Sequence, residues 1–374
     1  MQISDEFPAA RKSTYLNSAS VALMPRSAAH YLEEWQRDIA ENGTLNFDEV
    51  AEDAVFDGLR ASFAKLMGCA ATDIAVASSA SEMIASLAWA IMPQAGSKIV
   101  TTDIVFPSTA YPWARVARHT GAEMHYVEAE DGVIDEEALV AAIDERTSVV
   151  SICHVEYSTG QRFDLARITK AAKAVGAFLL VDASQSAGAV PIDVGETGID
   201  ALVTTSYKWL CGPFGVGLLY LAPRWQTQLD PGITGWRSNA AVYDLRADRC
   251  LYQEDARRFE FSTMAYGCAG ALARSIDYLG SIGIQTILDH NLVLIDQLVQ
   301  GLGISPVSPM GSGQRSAIVS FRLPGLSNKE AVQKLGAQGI VVSPRRDYVR
   351  VSPHLYTQEA DIDRLIAALK AIVR

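Results

Sequence analysis

An alternation constrains this chain more than any other feature. Between about residues 55 and 225, short apolar runs of strand length are interleaved with stretches of helical period. Strands buried on both faces read as near-continuous aliphatic runs, and helices connect parallel neighbours, so the pattern predicts an α/β layer architecture. "SKIVTT", "TSVVSICHV", "AFLLVD", "DALVTTS" and "GVGLLYL", each bounded by turn or polar residues, are its expected strands. Between them, "SASEMIASLAWAIMP" places Met83, Ile84, Leu87 and Ile91 near a helical period, opens on a hydroxyl cap and ends at Pro93. "LARITKAAKAVG" repeats the pattern and stops at Gly176. After about residue 255 the rhythm becomes two long helices, near 266–282 and 286–302, followed by a smaller α/β segment ending in "EADIDRLIAALKAIV". With 374 residues, 49% of them apolar, the chain can bury two cores. The expected division is a large domain over 15–255 and a small domain formed by 1–14 and 256–374.

Within the alternation, "VTTSYKWLCGPFGVGLLYL" ends an apolar strand on Lys208, set among hydroxyls and followed by a glycine-rich turn. A lysine capping a strand and pointing to solvent is the ordinary case. A buried amine with a depressed pKa is instead a nucleophile toward carbonyls and forms Schiff bases. Upstream, "FLLVDASQSAG" puts Asp182 at the carboxyl end of another buried strand, the edge where open α/β sheets bind ligands. Asp182 either caps the next helix or meets a cation there. A Schiff-base lysine combined with a buried acid is the chemistry of pyridoxal phosphate, whose pyridine nitrogen the acid keeps protonated. "ASSASEM", a small-residue turn feeding a helix, offers free N–H groups and a positive dipole end to a phosphate, with Ser81 adding a hydroxyl; plain helix capping explains the same residues. Thr205, Ser206 and Tyr207 add further hydroxyls.

Several function classes are disfavoured. Net charge is −11, which opposes binding to nucleic acid. Five scattered cysteines lack CxxC or paired spacing, arguing against a disulfide framework or zinc cluster and for a reducing cytoplasm. "MQISDEFPAARKSTYLN" has no apolar leader core, and no stretch approaches a membrane span, so neither secretion nor a membrane partner is expected. The six histidines form no metal-binding spacing, so no metal is expected; His154, after a strand, reads as a core histidine. "GPFGVG" precedes a strand rather than a helix, contrary to a dinucleotide loop.

Taken together, "TYLNSASVALMP", "ASSASEM", "DASQSAG", "TSYKWLCGP", "RFEFSTMAY" and "YVRVSPHLYTQEADIDRL" resemble the class V aminotransferase family of fold-type I pyridoxal-phosphate enzymes, which includes cysteine desulfurases, selenocysteine lyase, kynureninase and isopenicillin N epimerase. The resemblance implies a large domain with a doubly wound mixed sheet and a smaller C-terminal α/β domain. It implies that Lys208 holds pyridoxal 5'-phosphate and later shuttles the substrate α-proton. Asp182 would pair with the pyridine nitrogen, Gln185 would bond the phenolic oxygen, and Ala80, Ser81, Thr205 and Tyr207 would bind the phosphate. Phe106, where relatives carry an aromatic or histidine, would stack on the ring. Thr263 would reach the phosphate of a neighbouring subunit, implying a homodimer, and Arg350 would grip the α-carboxylate of an amino-acid substrate.

Desulfurases carry a persulfide-forming cysteine in the loop before this arginine. Here the loop reads "GIVVSPRRDYVRVS", and no cysteine follows Cys268. The resemblance is then nearest to the cystine C–S lyase type, through "IAENGTLNF", "GITGWRSNAAVY" and "RFEFSTMAY". Trp236 and Arg237 would line a substrate channel, or else be a core tryptophan and a surface arginine. The expected activity is a C–S or other β-elimination, with transamination or epimerisation as the alternative. A non-catalytic sensor would need a DNA-binding fusion, and none is expected in a chain whose match begins by residue 15.

Overall fold

The computed structural model describes residues 3–373. Its strands are β1 (Thr14–Tyr15), β2 (Ile74–Ala77), β3 (Lys98–Thr102), β4 (Glu123–Val127), β5 (Thr147–Cys153), β6 (Phe178–Asp182), β7 (Ala201–Thr205), β8 (Gly217–Leu221), β9 (Val319–Phe321), β10 (Ile340–Val341), β11 (Ser343–Arg345) and β12 (Tyr348–Val351). Seven form one sheet in the order β2-β8-β7-β6-β5-β3-β4. All pairs are parallel except those of β8, which runs antiparallel to β2 and β7. The five strands expected from sequence are all present, and the sheet is the mixed one anticipated.

Two strands lie outside that expectation. β2 is a four-residue, fully buried run rich in alanine. β4 is an edge strand whose residues are mostly exposed, so it carries no apolar run to read. Apolar clusters cover both sheet faces, one containing Phe56, Phe63, Val181 and Leu202, the other Ile84, Leu87, Trp113 and Leu180. Burial of this kind stabilises by about 25 cal/mol per Å² of apolar surface.

The helix Ala80–Ile91 is capped by the Ser79 side chain, which accepts from Glu82 N, and ends where Met92 turns left-handed before Pro93. The helix Tyr266–Ile282 packs Tyr266, Ala269, Leu272 and Ile276 into the large core. The helix Ile284–Leu302 sends Leu294, Ile295, Leu298 and Leu302 into a second core. Phe259 likewise belongs to the large core, whereas Leu16 joins the small one with Leu298, Val351 and Leu365. Apolar periodicity locates a helix but not the core that receives it. In the small core, β12 pairs with β11 and β9, with Arg350 opposite Ser343 and Ser320. Among the described residues, no helix is long and apolar enough to cross a membrane.

Candidate functional site

Register brings the chemistry to one edge of the sheet. Cys153 lies opposite Asp182, Asp182 opposite Val203, and Gly217 opposite both Thr205 and Ala77. The carboxyl ends of β2, β5, β6 and β7 thus meet the start of β8, as expected for ligand sites in open α/β sheets. A cavity opens there, with about 620 Å³ of empty space including its open mouth.

Lys208 enters this cavity from a tight turn after β7. Cys211 N donates to Lys208 O at 2.8 Å and Gly212 N to Ser206 O at 2.9 Å, with Cys211 at φ 53°. The next residue, Trp209, is fully buried and donates its indole N–H to Gln185 Oε1 at 2.8 Å. Anchoring of Trp209 fixes where the Lys208 side chain emerges. Gly188, at φ 92°, lets the backbone pass against the Trp209 carbonyl, where a Cβ would collide. The Lys208 amine makes no hydrogen bond or ion pair with any described residue, and it lies 5.4 Å from the Phe106 ring centroid. Burial pulls its pKa from 10.5 down to about 8, against the charge of Asp182 and with help from Arg350 and Arg345.

Asp182 is buried and does not cap a helix. Oδ2 accepts from Thr109 Oγ1 at 2.7 Å and Oδ1 from Ser184 N at 2.9 Å. Both oxygens are held, so the carboxylate has a fixed direction within the cavity that it and Lys208 line. Opposite them, the first turn of the helix Ala80–Ile91 supplies Ser79, Ala80 and Ser81. The Ser81 hydroxyl bonds Ser108 Oγ at 2.8 Å, joining this turn to the start of the helix Pro107–Thr120. β8 approaches closely at Gly217, where a Cβ would strike Ser79 and stand 2.6 Å from Ala80 N. The result is a cradle of N–H and hydroxyl groups suited to an anion.

Ala80, Ser81, Phe106, Asp182, Gln185, Thr205, Tyr207 and Lys208 all line this one cavity. Phe106 is 43% exposed and meets Tyr157 edge-on at 5.4 Å, leaving a flat apolar face at the mouth. Gln185 Nε2 donates to Ala19 O at 3.0 Å and keeps a second N–H for another acceptor. Tyr207 stacks on Phe214 at 4.4 Å. Arg350 stands behind the wall, donating to Tyr157 O at 2.6 Å and to Ser20 Oγ at 2.7 Å. A reactive amine, an acid with a set direction, an aromatic lid and an anion cradle together suit a phosphorylated pyridine aldehyde.

Three sequence candidates lie elsewhere. Thr263 is exposed and does not line the cavity. Trp236 borders a separate surface cleft with Val242 and Leu245. Arg237 is neither a channel residue of this cavity nor a surface arginine. It is 3% exposed and ion-paired to Glu52 at 2.6 Å and Asp53 at 2.9 Å, with Glu260 at 3.9 Å. Its charge is held by partners that a local reading does not see. His154 is buried and borders a different cleft. Thr109 and Ser108 went unrecognised in the sequence; Thr109 sits one helical turn after Phe106, and that spacing was its available signal.

The family description "Aminotransferase class-V" matches residues 14–365. The uncharacterized aminotransferase YcbU of Bacillus subtilis is 28% identical, over 98% of this chain and 96% of the relative. A probable cysteine desulfurase of Streptomyces coelicolor is also 28% identical, over 96% of this chain and 92% of the relative. Among solved structures, the cystine C–S lyase C-DES in complex with its reaction product cysteine persulfide superposes with a TM-score of 0.89 at 24% identity, covering 97% of this chain and 98% of that one.

Proposed function

The chain belongs to the class-V aminotransferase family, and from that premise we propose that it is a pyridoxal-phosphate lyase that expels a β-substituent, sulfur-linked or otherwise, from an amino acid. When bound, pyridoxal 5'-phosphate supplies an aldehyde for amino groups and a protonated ring that withdraws electrons from the substrate Cα. Lys208 would anchor it. Asp182, oriented by Thr109 and Ser184, would hold the proton on the ring nitrogen. The turn at Ala80 and Ser81, with Thr205 and Tyr207, would take the phosphate, Gln185 the phenolic oxygen, and Phe106 one ring face. Arg350 would bind the substrate α-carboxylate with its planar fork.

Proton transfer at Cα needs a base poised near neutrality, and Lys208 Nζ, with a pKa of about 8, meets that requirement. One observation favours elimination without a cysteine nucleophile. Cys153 is the one cysteine lining the cavity among the described residues, and burial, with Glu156 and Asp182, pushes its thiol well above 9.0. A neutral buried thiol is a poor sulfur acceptor. The loop before Arg350 offers no replacement.

Transamination or epimerisation on the same residues is the competing reading. Thr263, exposed on this chain, would serve the phosphate of a second copy, which sedimentation would detect as a two-chain species. Incubating the loaded enzyme with β-substituted amino acids and no keto-acid acceptor should release pyruvate and ammonia. Strict dependence on an acceptor would remove the lyase assignment.

A further inference from the structure

The chain at the end of β5 borders two spaces. Cys153, Val155 and Tyr157 line the lysine cavity, whereas His154 borders a second cleft. Phe163, Leu165, Val190 and Ile192 give that cleft apolar walls, and the loop containing Ser312 and Gln314 closes one side. Arg162 ties this loop to the large sheet. Its backbone N–H donates to Gln314 O at 2.9 Å and its Nε to Gly313 O at 2.8 Å.

Donor groups at the cleft lack acceptors. Nη1 and Nη2 of Arg162 make no hydrogen bond or ion pair with a described residue, and burial disfavours the charge they carry. His154 is 6% exposed, and neither ring nitrogen has a partner, Nδ1 being fully enclosed. Burial, with Arg162 nearby, pulls its pKa from 6.5 to about 3, so the ring is neutral and carries one N–H in search of an acceptor. The helix Leu165–Ala174 also opens here. Leu165 N and Ala166 N, in its first turn, are unpaired, because the Asp164 side chain takes only Arg167 N.

The acids around the cleft do not meet these donors. Asp164 caps the helix, Glu136 accepts from Asp164 N and faces Arg167, and Asp193 accepts from Glu196 N. Glu196 is uncommitted but exposed. Unmet donors in a recess are costly, and a half-buried guanidinium without a counter-charge more so. A carboxylate would meet the Arg162 fork with two parallel bonds. The surrounding acids repel a second negative charge, and the apolar walls suit a hydrocarbon body.

We propose that this cleft is a second ligand site, separate from the lysine cavity, and that it takes a small monocarboxylate with an apolar body on Arg162, beside His154 and the first turn of the helix Leu165–Ala174. The inference does not depend on which reaction the lysine cavity carries out. The two sites are neighbours through the backbone, since His154 N donates to Asp182 O at 3.0 Å.

The test titrates isobutyrate by calorimetry into the cofactor-loaded enzyme. Arg162→Gln should weaken binding at least about tenfold, whereas Arg350→Met, which alters only the lysine cavity, should change it less than about threefold. Inorganic phosphate, with its extra charge, should bind at least about tenfold more weakly than isobutyrate. Cofactor absorbance reports an intact fold; if Arg162→Gln loses it, Ala166→Trp, which fills the cleft from its rim, replaces that variant with the same expected loss. Binding that survives Arg162→Gln and disappears in Arg350→Met puts the acid in the lysine cavity and overturns the proposal. No binding of isobutyrate, or phosphate binding as tight or tighter, overturns it equally.

Discussion

Replacing Arg237 with methionine separates a structural from a substrate role for this residue. The guanidinium bridges Glu52 and Asp53, on the helix Glu49–Met67, to the segment carrying Glu260. Burial opposes its charge, but Asp53, Glu260 and Tyr266 outweigh that and keep it protonated. Removing one member of a buried ion network typically costs about 3–5 kcal/mol, because the partner charge stays behind. Glu260 retains Arg60, and Asp53 is nearly half exposed, so water takes over part of the loss. About 3 kcal/mol is the expected cost. With an unfolding entropy of about 2.1 cal/mol/K per residue over 374 residues, that lowers the unfolding midpoint by roughly 4 °C. Scanning calorimetry of the loaded enzyme measures the shift, and steady-state kinetics should give a KM within about twofold of the original. An unchanged midpoint with a KM raised tenfold or more would refute the reasoning and restore the substrate channel.

Thr109→Val deletes one charge-assisted hydrogen bond to Asp182, about 1.5–3 kcal/mol, so kcat/KM should fall at least about tenfold; an unchanged value would mean that Thr109 does not orient the acid. In cofactor-stripped enzyme, the rate of aldehyde capture should rise with pH and level off near pH 8 rather than 10.5, because only neutral Lys208 reacts; Asp182→Asn removes a charge that raises this pKa and should move the plateau lower. His354 accepts at Nδ1 from Leu355 N at 2.7 Å and approaches Trp209 O through Nε2 at 3.2 Å, a neutral arrangement. Burial depresses its pKa from 6.5 to about 4, so the unfolded chain binds more protons between those values. The stability it contributes is complete above about pH 6.5 and is lost as pH falls toward 4, on the order of 3 kcal/mol. Equilibrium unfolding across that window should be less acid-sensitive in His354→Gln, and an unaltered slope would contradict the assignment.

Asp182 was legible in the sequence because it ends an uninterrupted apolar strand, and Lys208 because it follows β7 by three residues in a run of hydroxyls before a glycine-rich turn. Arg237 was not, because its partners at 52, 53 and 260 are remote in the chain and only folding brings them together. The edge strand β4 lacked apolar contrast, and the helix Tyr266–Ile282 had a clear period but no local sign of which core would receive it. Arg345 was visible as a charge in "SPRRD". Its convergence with Arg350 on Ser20 depends on two strand pairings and an N-terminal turn.

Lys208 should carry the cofactor covalently. Borohydride reduction of the loaded enzyme, followed by proteolysis and mass spectrometry, should place the cofactor's added mass on the peptide containing Lys208. The same mass on a different lysine, or an unmodified Lys208 peptide from enzyme with full cofactor absorbance, would contradict it.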